Sequence, residues 1–110
     1  MEHREFTSMA TYTGARAIDG IVVLADGAPL DPRTDLKRFT DRGFEWTYEG
    51  VEPSQLALAL LAHHLEDDAK ALDWCDAFMQ RIIANLDNDW ELTAAEIDGA
   101  LNDLDGGPAP

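Results

Sequence analysis

The chain has 110 residues, of which 22 are Asp or Glu and 8 are Lys or Arg, so its formal net charge is −14. This length supports one domain with a single apolar core and excludes two. A hydrophobic fraction of 45% excludes a disordered polyanion, and the longest apolar run, residues 56–62, is too short for a membrane-spanning helix. We therefore expect a soluble protein of the cytoplasm.

The acidic residues are concentrated in the second part of the sequence. Residues 1–43 carry six basic and seven acidic side chains, whereas residues 44–110 carry two basic and fifteen acidic ones. Asp outnumbers Glu by fourteen to eight and only two residues are Lys, a usage that resembles cytoplasmic proteins of halophiles. Molar salt favours such a composition, because the Debye length falls from about 8 Å at physiological salt to about 3 Å at 1 M. The charge pattern predicts adaptation to molar salt.

The first half of the chain has strand patterns. Strands are predicted over residues 11–16 and 20–25, and the second of these is rich in β-branched residues. A short helix or a single turn is predicted through residues 36–39. Aromatic and polar residues then alternate over residues 44–48, which predicts a third strand with one aromatic face.

The second half has helical patterns. Residues 53–65 are apolar almost all round, which predicts a central helix covered on most sides. Asp67 and Asp68 can cap a second helix, and Thr93 with Glu96 forms the capping box of a third. The apolar stripe predicted for the second helix contains Leu72, Cys75, Met79, Ile82 and Leu86, widened by Trp74 and Phe78.

These elements predict one α+β domain over residues 11–104. In it, a small antiparallel three-stranded sheet or meander is followed by three helices that pack on it. Residues 1–10 are expected to form a flexible N-terminal arm, and residues 105–110 a disordered tail.

Short motifs along this domain resemble a known family. In chain order they are Tyr12-x-Gly14-x-Arg16, Asp19-Gly20, Pro29-Leu30-Asp31-Pro32, Gly43-Phe44-Glu45-Trp46-x-Tyr48-x-Gly50 and Pro53-x-Gln55 with the apolar run to Ala62. They resemble the domain-of-unknown-function family 6166, small proteins of haloarchaea, other prokaryotes and their viruses. The resemblance implies a compact standalone domain and a haloarchaeal or viral origin. It implies no activity, because the family offers no catalytic residues to carry over.

Four of the eight basic residues lie between residues 33 and 42, directly before Trp46 and Tyr48. Cations beside exposed aromatic rings bind single-stranded nucleic acid, which makes segment 33–48 a candidate site of that kind. The acids interleaved with these cations and the negative charge of the remaining chain oppose it. Pairing of the cations with acidic helices is the favoured interpretation, and direct nucleic-acid binding is not expected.

Histidine and cysteine supply the other candidates for chemistry. His63 and His64 stand next to three acids, but neighbouring residues on a helix point about 100° apart and cannot face one ion together. Residues 87–98 resemble a calcium loop that lacks the glycine at its sixth position and the final Glu. Cys75, the one thiol, lies in an apolar stripe, where thiols are inert. We expect no metal, no cofactor and no enzymatic activity.

The sequence favours a non-enzymatic protein-interaction module whose partner is another protein or a second copy of the chain. The least acidic part of the chain supplies the candidate contact surface. Its residues are Arg16, Arg33, Arg38, Trp46 and Tyr48.

The alternative function is an acidic mimic of nucleic acid that inhibits a nucleic-acid-binding protein. A mimic clusters its acids at phosphate-like spacing, whereas adaptation to salt spreads them over all exposed helix faces. The candidate mimic stripe consists of Glu66, Asp67, Asp68, Asp73 and Asp76.

Overall fold

The computed structural model of the chain describes residues 10–104. The predicted arm, residues 1–10, and the predicted tail, residues 105–110, lie outside this range except for Ala10. Ala10 is buried, and its carbonyl accepts a hydrogen bond of 2.9 Å from the Ala94 amide. Ala10, assigned to the arm by the sequence, therefore packs with the domain.

Four antiparallel strands form the sheet. They are β1 (Thr11–Ala17), β2 (Gly20–Ala25), β3 (Ala28–Pro29) and β4 (Trp90–Thr93). The order across the sheet is β3-β2-β1-β4, so the last strand of the chain pairs with the first. Tyr12 lies opposite Ala25 on one side and Leu92 on the other, and directly opposed residues share a face of the sheet. This face turns towards the core, since Tyr12 is fully buried.

Three α-helices lie within the described residues 10–104. They are α1 (Val51–Leu65), α2 (Asp68–Arg81) and α3 (Ala94–Leu104), with a 3-10 turn over Ile83–Asn85. In α1 every residue from 53 to 62 is buried, as the all-round apolar pattern predicts. Helix α2 and the 3-10 turn pack against α1, which is thus the centre of the core. The antiparallel sheet with three helices confirms the predicted α+β class.

The predicted helix caps are confirmed. Asp67 Oδ1 accepts a hydrogen bond of 3.1 Å from the Lys70 amide at the start of α2. Before α3, Thr93 Oγ1 accepts from the Glu96 amide at 3.1 Å and Glu96 Oε1 accepts from the Thr93 amide at 2.9 Å. Both caps therefore form between residues three positions apart, as the spacing of these residues in the sequence predicts.

The predicted strand over residues 44–48 is wrong. Trp46 is held by long-range contacts and fully buried, while Thr47 has a φ of 82°, which a strand does not contain. The Thr47 amide donates to the carbonyl of Ile83 at 3.1 Å instead of to a neighbouring strand. Trp46 is buried, whereas Glu45 before it is half-buried and Thr47 after it is exposed, which gives this segment the sequence alternation of a strand without strand pairing.

Two further differences concern β4 and α2. Residues 90–93, interpreted from the sequence as part of a connection between two helices, form strand β4. Trp90 and Leu92 point towards the core, whereas Glu91 and Thr93 point away from it. In α2, the predicted stripe residues Cys75, Phe78 and Met79 are buried, together with Ala71. Leu72 differs from the prediction, because it is 38% exposed. Within residues 10–104, the helices lack the length and apolar character that crossing a membrane requires.

Candidate interaction surface

Arg16, predicted to belong to the contact surface, is engaged by its own molecule. Its Nη1 lies 2.6 Å from Glu45 Oε1, its Nε donates to Asn88 Oδ1 at 3.2 Å, and its Nη2 donates to the Trp46 carbonyl at 3.3 Å. The guanidinium also lies 4.7 Å from the centroid of the Trp46 ring, a cation–π distance. The side chain therefore joins β1 to the segment before α1 and to the loop before β4.

Trp46 belongs to the core and not to the surface. Its side chain is fully buried, its ring meets that of Trp90 edge to face at 5.6 Å, and its Nε1 donates to the Asn88 carbonyl at 3.0 Å. Trp90 in turn covers Gly14, where an added Cβ would stand 2.3 Å from the indole. Burial removes the Trp46 side chain from any contact surface, which corrects its predicted placement.

Arg33 and Arg38 are both paired with acids, but of the two only Arg33 reaches a helix, whereas Arg38 pairs within its own loop. Arg33 donates to both carboxylate oxygens of Asp35 at 3.0 Å and to those of Asp68 at 3.3 and 3.4 Å. This guanidinium lowers the pKa of Asp35, and its link to Asp68 ties the loop to the start of α2. Arg38 lies 3.0 Å from Asp41, and both of these side chains are mostly exposed.

Gln55 holds the loop over residues 32–39, which carries Arg33 and Arg38, and it was not among the predicted site residues. Gln55 is 1% exposed on α1. Its Nε2 donates to the carbonyls of Pro32 and Lys37 at 2.7 and 3.0 Å, and its Oε1 accepts from the Phe39 amide at 2.8 Å. The sequence contains a signal for this role, a single amide side chain within the apolar residues of α1. A buried amide needs hydrogen-bond partners, so its position predicts contacts with a neighbouring segment.

Tyr48 is the one aromatic residue of the predicted surface that is exposed, at 44%. Its hydroxyl donates to Glu52 Oε1 at 3.1 Å, and desolvation with the Glu52 carboxylate raises the pKa of Tyr48. It borders a cleft of about 280 Å³ lined by Ile21, Arg42, Phe44, Glu45, Tyr48 and Glu52. One cation, Arg42, and two carboxylates, Glu45 and Glu52, line this cleft, so its charges are of both signs.

The acids of the candidate mimic stripe do not act as one free set. Asp67 caps α2 and Asp68 forms an ion pair with Arg33. Glu66, Asp73 and Asp76 are exposed and take part in neither of these two contacts. Exposed acids also lie in turns, in loops and on α3. Examples are Asp19, Asp41, Asp89, Asp98 and Asp103.

The two histidines tie α1 to its neighbours. His63 Nδ1 lies 2.8 Å from the Tyr12 hydroxyl on β1, and His64 Nε2 lies 2.6 Å from Asp98 Oδ1 on α3. Cys75 is buried, which raises the pKa of its thiol, and its Sγ lies 3.5 Å from the Leu72 carbonyl. Among the described residues, the hydrogen bonds of Cys75 thus do not join it to His63 or His64. Within residues 10–104, no group of three or more possible ligands is placed to hold a metal ion.

The outer face of the sheet is nearly uncharged. Successive residues of a strand alternate between the two faces, so one residue in two points away from the core. Eight of these outward residues, all exposed or half-buried, are named here the open sheet face: Thr11, Thr13, Ala15, Val22, Leu24, Pro29, Glu91 and Thr93. Glu91 is the single charged residue among them, and Val22 is 43% exposed.

Comparison with known families gives one match. A model described as a family of unknown function, DUF6166, matches residues 12–103. The chain belongs to the DUF6166 family. No match is found among curated proteins or among solved structures.

In this DUF6166 protein, the motif residues quoted from the sequence hold packing positions. Gly14 lies under Trp90, Arg16 covers Trp46, and Gln55 holds the loop over residues 32–39. These motifs therefore account for how the fold is assembled. Of the eight residues of the open sheet face, Pro29 alone is a quoted motif residue, and this face is the surface that the sequence reasoning missed.

Proposed function

We propose that this DUF6166 protein is a non-enzymatic protein-interaction module, adapted to molar salt in the cytoplasm, that binds another protein or its own copy. The open sheet face carries the proposal, because it has one acid among eight positions in a chain of net charge −14. An antiparallel sheet with one solvated face normally presents polar residues there. Here Val22, Leu24 and Pro29 stand among small residues, so a partner can approach without charge repulsion.

Adaptation to salt is supported by how the acids are arranged. They occupy turns, loops and all three helices, as expected where charge serves hydration and screening and not one contact. Unfolding followed by circular dichroism from about 0.1 to about 3 M KCl tests this, since that range takes the Debye length from about 10 Å to below 3 Å. The midpoint should rise throughout the range. A midpoint that does not respond to KCl contradicts the adaptation.

The interaction itself is tested by a pair of matched substitutions. Val22 and Val51 are 43% and 50% exposed, on the open sheet face and at the start of α1 respectively. In molar KCl the wild-type chain and Val51→Glu should form a complex with a partner protein or with themselves, measured by pull-down and light scattering. Val22→Glu should lose it. Equal complex formation by both variants contradicts this placement, and the absence of any complex contradicts the function.

The acidic mimic is the second candidate, supported by the exposed pair Asp73 and Asp76 at adjacent turns of α2. A mimic holds a basic protein by charge, so its complex must weaken as KCl rises. Asp73→Asn with Asp76→Asn would weaken it further. A complex that strengthens with KCl and ignores this double substitution excludes the mimic.

Binding of single-stranded nucleic acid through segment 33–48 is the weakest candidate. It needs free cations and rings on which bases stack, whereas Arg33 is paired with two acids and Trp46 is buried. Fluorescence anisotropy with a labelled single strand in low salt should show no saturable binding. Saturable binding that falls on Arg38→Ala and Tyr48→Ala would reinstate it.

A further inference from the structure

We propose that the open sheet face binds a second copy of this chain by packing sheet against sheet. This inference rests on the proposed function and names its partner. It follows from three properties of the described residues: the charge of the face, the chemistry of the sheet edges and the size of the face.

Charge permits a second copy at this face. A contact through α3 would instead bring Glu96, Asp98 and Asp103 of each copy together, and a contact through α2 would bring in three acids and two bases from each. Across the open sheet face they bring in one carboxylate each, that of Glu91, with hydroxyl, methyl and apolar groups around it. A basic partner would be attracted to the acidic helices instead, where Coulomb attraction is available to it.

The edges of the sheet disfavour the other common route, strand addition. Strand β3 has two residues and ends in Pro29, which has no amide to donate. Strand β4 has four residues, and the amide of Thr93 is already bound by Glu96 Oε1 at 2.9 Å. Self-association therefore uses the face of the sheet and not its edges.

The size of the face predicts a weak, reversible dimer. The four strands have seven, six, two and four residues, which at a rise of about 3.3 Å and a spacing of about 4.8 Å offer roughly 300 Å² per copy. Stable interfaces bury about 800 Å² per partner. Ile18, fully exposed in the β1–β2 turn, adds apolar surface at the end of these strands. The dimer should accordingly form at high protein concentration and dissociate on dilution.

The response to salt has a definite sign. Two chains of net charge −14 repel each other, and this repulsion is screened when the Debye length falls from about 10 Å at 0.1 M to about 3 Å at 1 M. Apolar contacts are not weakened by such screening. The dimer should therefore strengthen as KCl rises, which is opposite to the response of a complex held by unlike charges.

Sedimentation equilibrium of the purified full-length chain from about 0.1 to about 3 M KCl tests the inference. The weight-average mass should rise with salt and concentration from 12.1 kDa towards twice that value. Val22→Glu should raise the dissociation constant at least about tenfold, because it sets two new like charges in the interface. Val51→Glu, the same substitution on α1, should leave it unchanged.

Removal of the one acid gives the converse test. Glu91→Gln should lower the dissociation constant and the KCl concentration at which dimers form, whereas Asp76→Asn, with the same change of charge on α2, should alter both much less. Circular dichroism of each variant confirms that it is folded. Val22 and Glu91 are exposed, so neither substitution disturbs the core.

Each outcome separates this inference from the proposed function. A monomer at every salt concentration overturns the second copy as the partner, and a dimer indifferent to Val22→Glu overturns the placement of the interface on the open sheet face. If such a monomer still forms a Val22-dependent complex with a different protein, the proposed function stands with another partner. If it forms neither, both fail.

Discussion

Gly14 is the residue at which β1 and the Trp90 indole come closest. A Cβ at this position would stand 2.3 Å from Cε2 of Trp90, closer than atoms can approach without movement. The position of the Trp90 ring is constrained on another side, because it packs edge to face on the buried Trp46. The absence of a side chain at Gly14 is therefore a condition for closing this part of the core.

We predict that Gly14→Ala destabilises the protein by about 1–3 kcal/mol, the usual cost of forcing extra volume into a packed core. Gly99 provides the control, because a Cβ there meets nothing within 4 Å and Gly99→Ala in α3 should stabilise by about 0.5–1 kcal/mol. Urea unfolding in 3 M KCl, followed by tryptophan fluorescence, measures both. Equal stability of Gly14→Ala and wild type would contradict the packing described for Trp90.

Tyr12 gives the core a dependence on alkaline pH. Burial, followed by the negative charges of Asp26 and Glu66, raises the pKa of Tyr12 to about 12. Above pH 10 the unfolded chain releases this proton while the folded chain keeps it, so folding stability falls between pH 10 and about 12.

We predict that wild type loses stability relative to Tyr12→Phe in this window, by up to about 1.4 kcal/mol per pH unit. Below pH 10 the difference between the two proteins should be constant and should reflect the hydrogen bond to His63. Urea unfolding at a series of pH values measures it. Parallel curves from pH 9 to pH 12 would show that the Tyr12 phenol ionises as readily in the folded protein as in the unfolded chain.

At the scale of elements, the capping box of α3 also joins a strand to a helix. Thr93 is the last residue of β4, and the same residue caps α3 through its hydroxyl and its amide. We predict that Thr93→Ala lowers the free energy of unfolding by about 1 kcal/mol, whereas Thr93→Ser retains most of it. Thermal unfolding of dilute protein in 3 M KCl compares them. A loss as large for Ser as for Ala would mean that the methyl group matters and the hydrogen bond does not.

The helices were predictable from the sequence because their determinants are local. The caps at Asp67 and Thr93 act within three residues, and the apolar run of α1 is buried whatever packs on it. The strands depend on distant partners. Strand β4 exists because it pairs with β1, some eighty residues away in the chain, and segment 44–48 fails as a strand because Asn88 and Ile83 bind it.

The candidate site was less predictable than the fold. A cation in the sequence does not show whether its charge is free, and Arg16 and Arg33 prove to be used by acids that folding brings to them. The residues of the open sheet face can be grouped only when the pairing of all four strands is known. Because β4 pairs with β1, its two polar residues, Glu91 and Thr93, lie beside Thr13 and Thr11 and belong to the same face.

At the scale of the whole molecule, the charge asymmetry of the sequence becomes an asymmetry of the structure. Three of the four strands come from residues 1–43, which are almost neutral, and all three helices come from the acidic remainder. Six of the eight residues of the open sheet face belong to the neutral part. The molecule thus has acidic helices and one nearly neutral face, and salt should affect folding and association in the same direction.

Repulsion among the helical acids can be relieved by substitution instead of by salt. We predict that Asp73→Asn, Asp76→Asn and Asp103→Asn together raise the melting temperature by roughly 2–4 °C at low KCl, because these exposed acids repel their neighbours across weakly screened solvent. In 3 M KCl the gain should vanish, since screening has already removed the repulsion. Asp68→Asn is the control: Asp68 binds Arg33, so its neutralisation should lower the melting temperature at low salt. A gain for the triple variant that is equal at both salt concentrations would point to helix propensity and not to charge.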